Sequence, residues 1–174
     1  MKKLALFAVM VLALVALVVG FAVAQDKPKP TFVGADKCKP CHLALYKSWL
    51  ETKHAKAFSV LKPEEQKKPE CVKCHFTGVT AEKVALEGVQ CEACHGAGSE
   101  YKKPTIMSKS KFADNKAAAL KVAKDAGLII PTAENCAKCH TKEGNPNFKP
   151  LDFDKSKGTV HKMTAVAPAP APAK

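Results

Sequence analysis

Cys38-Lys39-Pro40-Cys41-His42 is the first copy of the sequence pattern that decides how this chain folds. The pattern Cys-x-x-Cys-His recurs at residues 71–75, 91–95 and 136–140. The four copies use all 8 cysteines of the chain and four of its 6 histidines. Because no thiol is left for a disulfide, the cysteines serve one kind of site that is repeated four times.

The spacing within each copy is the attachment signature of c-type haem. Two thiols three residues apart on one helical turn can reach both vinyl groups of a porphyrin, and the next histidine can bind the iron. We therefore predict four covalently bound haem c groups. The predicted thioether cysteines are Cys38, Cys41, Cys71, Cys74, Cys91, Cys94, Cys136 and Cys139. The predicted proximal iron ligands are His42, His75, His95 and His140.

Two other uses of paired cysteines fit this pattern less well. A thioredoxin-type redox pair needs one Cys-x-x-Cys in a βαβ context, not four. A zinc site joins one such pair to a distant second pair and does not require a histidine directly after each. Haem attachment is the interpretation that explains every cysteine and the histidine that follows each pair.

The distal iron ligands are less well determined by the sequence. His54 and His161 are the only histidines outside the motifs, and we predict both as distal ligands. On one straight helix His54 would lie about 18 Å from His42, so it would serve a different haem. Met107 and Met163 are further candidates, although an ordinary apolar contact is favoured for each. One or two haems are therefore expected to be five-coordinate, with an open face.

Residues 1–24 are predicted to be a secretory signal peptide. Lys2 and Lys3 precede a long apolar run, and Ala22-Val23-Ala24 is a small-x-small cleavage site that puts the mature start at Gln25. An uncleaved membrane anchor is the alternative, because the run is about long enough to span a bilayer. Thioether attachment of haem requires export, so the signal and the motifs both indicate the bacterial periplasm.

The rest of the chain is expected to form one small domain. Residues 25–33 are a polar lead-in, residues 34–162 the tetrahaem domain, and residues 163–174 a disordered Ala-Pro tail. A mature chain of about 150 residues leaves too little polypeptide to enclose four porphyrins in an ordinary core. We therefore expect a mostly α fold with irregular loops, in which the four haems form the core.

Local patterns predict several elements within this domain. Leu43, Tyr46, Trp49 and Leu50 recur at helical spacing, in a segment that continues to His54. An Ala-Lys-rich helix is expected over residues 111–126, ended by Gly127. Other predictions are an N-cap at Thr132, an extended hairpin arm over residues 79–89 and a short helical piece over residues 152–160.

The formal net charge is +12, and every basic residue is lysine. The propionates of four haems offset part of this charge, so the basicity is partly internal. Nucleic acid is not an expected partner, because the chain is exported and has no arginine for bidentate contacts. Lysine-rich faces can steer acidic redox partners, such as periplasmic or membrane quinol and cytochrome systems. Membrane contact is expected only through an uncleaved signal segment. The protein is expected to be a monomer or a weak oligomer.

The motifs and their flanks resemble the tetrahaem cytochromes of the c-554 type over most of residues 34–161. The resemblance rests on Trp49 and the run His54-Ala55-Lys56-Ala57-Phe58, on Cys74-His75-Phe76-Thr77-Gly78, on Gly88-Val89-Gln90 with Gly96-Ala97-Gly98, and on Cys139-His140-Thr141 leading to Phe153 and His161.

The resemblance implies a mainly α-helical fold with closely packed haem pairs, periplasmic electron transfer, and His–His coordination at most haems with one five-coordinate haem. The chain departs from that pattern, because it has two spare histidines where three would be expected. Tyr101 stands where related sequences can carry a histidine.

These patterns favour an electron carrier over an enzyme, since the sequence has no evident catalytic set beyond the haem motifs. The alternative is a haem enzyme that reduces a small nitrogen species, nitric oxide or hydroxylamine, at a five-coordinate haem. A third hypothesis is a structural conductor made of stacked subunits, against which the lysine-rich surface argues mildly.

Overall fold

The computed structural model describes residues 28–162, a set of short helices and turns with one small hairpin. The predicted signal peptide, the Ala-Pro tail and Met163 lie outside the described residues. The helices are α1 (Leu43–Leu50), α2 (Pro69–His75), α3 (Cys91–His95), α4 (Lys109–Asp114), α5 (Lys116–Asp125), α6 (Ala133–Ala137) and α7 (Phe153–Ser156), and the strands are β1 (Phe76–Val79) and β2 (Ala85–Glu87). Single 3₁₀ turns lie at Ala35–Lys37, Phe58–Val60 and Lys157–Thr159.

The first helix forms where the apolar spacing predicts it and packs through Trp49. This indole is buried, and its Nε1–H donates a hydrogen bond of 2.9 Å to the carbonyl oxygen of Val89. The helix ends at Leu50, and the segment that holds His54 consists of turns, so the expected continuation to His54 is wrong. A 2.7 Å bond from the Thr52 hydroxyl to the Trp49 carbonyl occupies that backbone acceptor where the helix ends.

The Ala-Lys-rich segment forms two helices where one was predicted. Asn115 breaks it with an extended φ of −150°, and its side chain accepts from the N–H of Ala118 to cap α5. Asparagine is among the best helix N-caps, so it starts a new helix here more favourably than it continues the old one. Gly127 ends α5 with φ of +101°, as predicted, and Thr132 is the N-cap of α6.

The hairpin lies directly after the second motif. β1 and β2 are antiparallel, with Gly78 opposite Leu86 and an irregularity between Phe76 and Gly78. Only a glycine fits at position 78, because an added Cβ would lie 2.8 Å from the ring of Phe32. The N-terminal segment thereby packs against the hairpin, and Phe32 also forms a bridge with Thr80.

The polypeptide supplies little apolar core of its own. In the described part of the chain, the buried apolar residues are Ala35, Trp49, Leu86, Tyr101, Ala119 and Ala123. Three of these six are alanines, which is a small core for a domain of this length. This agrees with the expectation that four porphyrins make up most of the core. Within residues 28–162, none of the helices is long and apolar enough to cross a membrane.

Candidate functional site

Each of the four motifs adopts a helical turn. The second and third lie within α2 and α3. In the first, the N–H of His42 donates to the carbonyl of Cys38 at 3.0 Å, and in the fourth His140 donates to Cys136 at 2.9 Å. A helical turn puts residues three and four apart on one face, so each motif presents its two thiols and its imidazole together.

The four motifs lie next to one another through their thiols. The hydrogen bond with Cys91 and then burial raise the pKa of Cys38 far above its ordinary value. Burial and the adjacent thiol of Cys74 raise the pKa of Cys139 to about 12. Burial and the charge of Cys136 raise the pKa of Cys94. The first motif is therefore beside the third, the third beside the fourth, and the fourth beside the second.

Two pairs of imidazole rings, one stacked and one edge-on, lie at a separation that suits one metal ion. The ring centres of His54 and His140 are 6.1 Å apart, and those of His95 and His161 are 6.4 Å apart. Two imidazoles on opposite sides of one iron have ring centres roughly 6 Å apart, because metal–nitrogen bonds are about 2 Å long. Each pair joins one motif histidine to one of the two histidines outside the motifs.

Backbone contacts orient two of the motif histidines for ligation. Nδ1 of His75 lies 2.6 Å from the carbonyl oxygen of Ala57, and Nδ1 of His95 lies 3.2 Å from that of Ile129. With Nδ1–H donating to a carbonyl, Nε2 keeps its lone pair for a metal. Burial also lowers the pKa of His95, which favours the neutral imidazole that a metal requires.

The two histidines outside the motifs are held by contacts with distant segments. The N–H of Val89 donates to the His54 carbonyl at 2.9 Å, and burial followed by His140 lowers the pKa of His54. Next to His161, the N–H of Lys162 donates to the Ser48 hydroxyl on α1 at 3.0 Å. His161 Nδ1 is buried and has no hydrogen-bond partner among the described residues. Half-buried imidazoles, each close to a motif histidine, fit the axial positions of haem iron.

Within residues 28–162, no imidazole ring packs against that of His42 or His75, although His161 is close enough to His42 that its charge, after burial, lowers the pKa of His42. All six histidines of the chain are described, and neither His42 nor His75 has another histidine ring facing its own there. Tyr101 is buried close to Cys38, and its hydroxyl donates to the Gly96 carbonyl at 3.1 Å. Burial and then the neighbouring thiol of Cys38 raise the pKa of this phenol well above its ordinary value, so it stays protonated. Met107 is half-buried in the turn before α4.

One residue of this region was missed by the sequence analysis. Glu92 fills a variable position of the third motif, where a charged side chain would be expected on the surface. It is instead 2 % exposed and accepts hydrogen bonds from backbone N–H groups. The glycines at 34 and 98, which supply two of those donors, carry no local signal that a carboxylate lies between them.

Comparison with known proteins places this arrangement in a family. The family described as "Cytochrome c554 and c-prime" matches residues 37–96, which contain the first three motifs. Cytochrome c-554 of Nitrosomonas europaea is 32% identical over 160 residues, an alignment that covers 77% of this chain and 67% of that protein.

A solved structure supports the same assignment. The reduced state of cytochrome c554 from Nitrosomonas europaea matches with a TM-score of 0.56 at 26% identity, over 77% of this chain and 85% of that one. The match confirms the resemblance and the mostly α-helical fold expected from the sequence. The chain therefore belongs to the cytochrome c-554 family, as a c-type cytochrome with four covalently bound haem c groups.

Proposed function

We propose that this cytochrome transfers single electrons between redox partner proteins in the bacterial periplasm. The observation that carries the proposal is the closeness of thiols from neighbouring motifs, which gives one unbroken spatial order: first, third, fourth, second. A protein that takes an electron from one partner and passes it to another needs such a continuous line of redox sites. Haem c, when bound, supplies the one-electron chemistry of iron.

The residues of the chain hold and orient these cofactors. We assign the eight cysteines to thioether attachment and the motif histidines His42, His75, His95 and His140 to the proximal iron positions. His161 is assigned to the distal position opposite His95, and His54 to the one opposite His140, because their rings face each other at 6.4 and 6.1 Å. Two imidazoles would leave no iron position free for a substrate, so these two sites would serve electron transfer alone.

Export to the periplasm is supported by the sequence of residues 1–24 and by the haem chemistry. Removal of that segment gives a mature protein that starts at Gln25, with residues 34–162 as the haem domain and residues 163–174 as a tail. Residues of the lead-in before position 34 already bond to the domain, since Thr31 and Ser99 exchange hydrogen bonds of 3.0 and 3.1 Å. A redox partner with an acidic docking face is favoured by the lysine-rich surface.

A reductive titration of the purified, haem-loaded protein tests this function. We expect four haems per chain in a pyridine haemochrome assay, uptake of four electrons, and their delivery to an oxidised acceptor cytochrome with no other substrate. The double variant Cys136→Ser with Cys139→Ser is the matched control, and it should take up three electrons. A wild-type protein that holds its electrons in the presence of every acceptor of higher potential would contradict the proposal.

A second candidate function is the reduction of nitric oxide or hydroxylamine at an open haem. It is favoured by one observation, the absence of a facing imidazole at His42 and His75 among the six histidines. Nitric oxide added to the reduced protein should then change the absorption of one or two haems, and hydroxylamine should be consumed over many turnovers. If neither ligand changes any haem spectrum, the chain is an electron carrier alone.

A further inference from the structure

The carboxylate of Glu92 is the feature of this molecule that the haem motifs do not explain. It is the single buried charged residue within residues 28–162, at 2 % exposure. Burying a charge is costly unless hydrogen bonds or an opposite charge compensate for it. The burial of a charged side chain inside a Cys-x-x-Cys-His motif therefore needs a physical explanation.

Backbone N–H groups compensate for this charge. Gly98 donates to Oε1 at 2.6 Å and Gly34 to Oε2 at 2.7 Å, while Val33 donates to both oxygens at 3.0 Å. A carboxylate that faces only donors is in its ionised form, because a protonated oxygen would point its own hydrogen at one of them. In the described part of the chain, no lysine or histidine forms an ion pair with it. The negative charge is therefore held by dipoles and is not cancelled by a cation.

Glycine makes room for the carboxylate. A Cβ at Gly98 would lie 2.9 Å from Oε1 of Glu92, so any larger residue would push the acid away. Gly34 has φ of +85°, a conformation that favours glycine and aims its N–H at the acid. The backbone on both sides of Glu92 is thus shaped to hold an anion.

The carboxylate lies between two haem-binding motifs. Glu92 belongs to the third motif, and its partners Val33 and Gly34 lead through the turn Ala35–Lys37 into Cys38 of the first. Gln90 strengthens the link, because its Oε1 accepts from the N–H of Ala35 at 2.8 Å. The charge of Glu92 is also a smaller cause of the raised pKa of Cys38, and it opposes the net lowering of the pKa of Cys91, which places it near both thiols.

We propose that Glu92 is a positioning residue with an electrostatic role: its buried charge lowers the reduction potentials of the haems attached at the first and third motifs. This inference rests on the proposed electron-transfer function. Reduction adds one negative charge to a haem, and a fixed anion in a poorly polarisable interior opposes it. The electron comes from the redox mediator, and no bond forms or breaks.

A spectroelectrochemical titration of the haem-loaded Glu92→Gln variant tests this role. We expect the reduction potentials of one or two of the four haems to rise by about 59 mV, which is a tenfold change in the one-electron equilibrium constant. The potentials of the other haems should stay unchanged. Glu70→Gln is the matched control, since Glu70 directly precedes Cys71 of the second motif but is exposed to solvent. It should leave all four couples unchanged.

A charge added nearby provides the test should Glu92→Gln fail to fold. Gln90→Glu keeps the oxygen that accepts from Ala35 and adds a second anion beside the first, so it should lower the same couples. A purely structural role would reduce the melting temperature of Glu92→Gln and move no potential. The proposed role of Glu92 would be overturned if a folded variant with four haems kept all four reduction potentials, or if all four shifted equally. Absence of haem from the wild type would instead overturn the proposed function.

Discussion

The third and fourth motifs differ from the first and second in what lies opposite their histidines. His95 and His140 each face an imidazole, from His161 and His54. His42 and His75 do not, although the motif sequences are of the same kind and fold into the same helical turn. We therefore expect the motif to determine where a haem is attached, and distant residues to determine how its iron is coordinated. Accordingly, we expect two electron-carrying haem sites with two imidazoles each, and two haem sites that lack the second imidazole.

Removal of a facing ring has the largest expected effect on this difference. In His161→Ala the third site loses its second imidazole, so the number of low-spin ferric haems with His–His coordination should fall from two to one in electron paramagnetic resonance spectra. His54→Ala should do the same at the fourth site. His161→Met is a control that keeps a sixth ligand and raises the potential of that haem. If both alanine variants keep two His–His signals, the assigned pairs are wrong.

A histidine introduced at Tyr101 should make the first site resemble the third. Tyr101 is buried near Cys38, with its hydroxyl bonded to Gly96 after the third motif, and we expect a histidine there to bring an imidazole close to the first haem. We expect Tyr101→His to raise the count of His–His signals from two to three, measured by the same spectroscopy. Tyr101→Phe should leave the count at two. A folded Tyr101→His protein with two signals would mean that position 101 does not face the first iron.

Loss of the Trp49 hydrogen bond should have a moderate effect, on stability alone. The indole ties α1, which follows the first motif, to Val89, which precedes the third. Trp49→Phe leaves the Val89 carbonyl without that donor, which should cost about 1 to 3 kcal/mol of unfolding free energy. The midpoint of guanidinium unfolding measures this cost. Tyr46→Phe is the control, because it removes only a solvent-exposed bond to Asp36 and should lower the midpoint less. Equal midpoints in the wild type and Trp49→Phe would contradict this role.

The smallest expected effect is a pH dependence at the fourth motif. The Thr132 hydroxyl lowers the pKa of Glu134 below its ordinary 4.5 in the folded protein. The carboxylate therefore adds stability above pH 4.5, and this contribution is lost as the pH falls through the folded pKa. Glu134→Gln should remove this part of the acid dependence, measured by unfolding midpoints at a series of pH values. Identical acid profiles for the two proteins would contradict the assignment.

Features set by neighbouring residues were predictable from the sequence. Apolar spacing located α1, Gly127 ended α5 and Thr132 began α6, because each signal lies within one or two turns of the structure that it sets. The motifs themselves identified the haem c cofactor for the same reason, and the eight attachment cysteines stay a prediction. The break at Asn115 was missed although its cause is local, because the run of alanine and lysine outweighed one good N-cap residue in the interpretation.

Features set by contacts between distant segments were not predictable. The pairing of His54 with His140 and of His95 with His161 depends on how the chain returns on itself, and no periodicity encodes that. The burial of Glu92 depends on backbone N–H groups of Val33 and Gly34, which any sequence would supply. Hydrogen bonds from the main chain leave no signature in side-chain composition, so a buried acid of this kind is visible only in the folded molecule.

The positions of the two outer histidines along the chain bear on the order of maturation. If the chain crosses a membrane from its N-terminus, His54 emerges before the fourth motif. The second imidazole of the fourth site is then present when that motif emerges. In a chain exported in this way, the third motif would emerge well before His161 and would hold its haem with one imidazole until translocation was nearly finished. The contact of Lys162 with Ser48 then brings the last described residues back onto α1. Under the proposed export and pairing, closure of the third site would come last, and a chain shortened before His161 would leave that site with one imidazole.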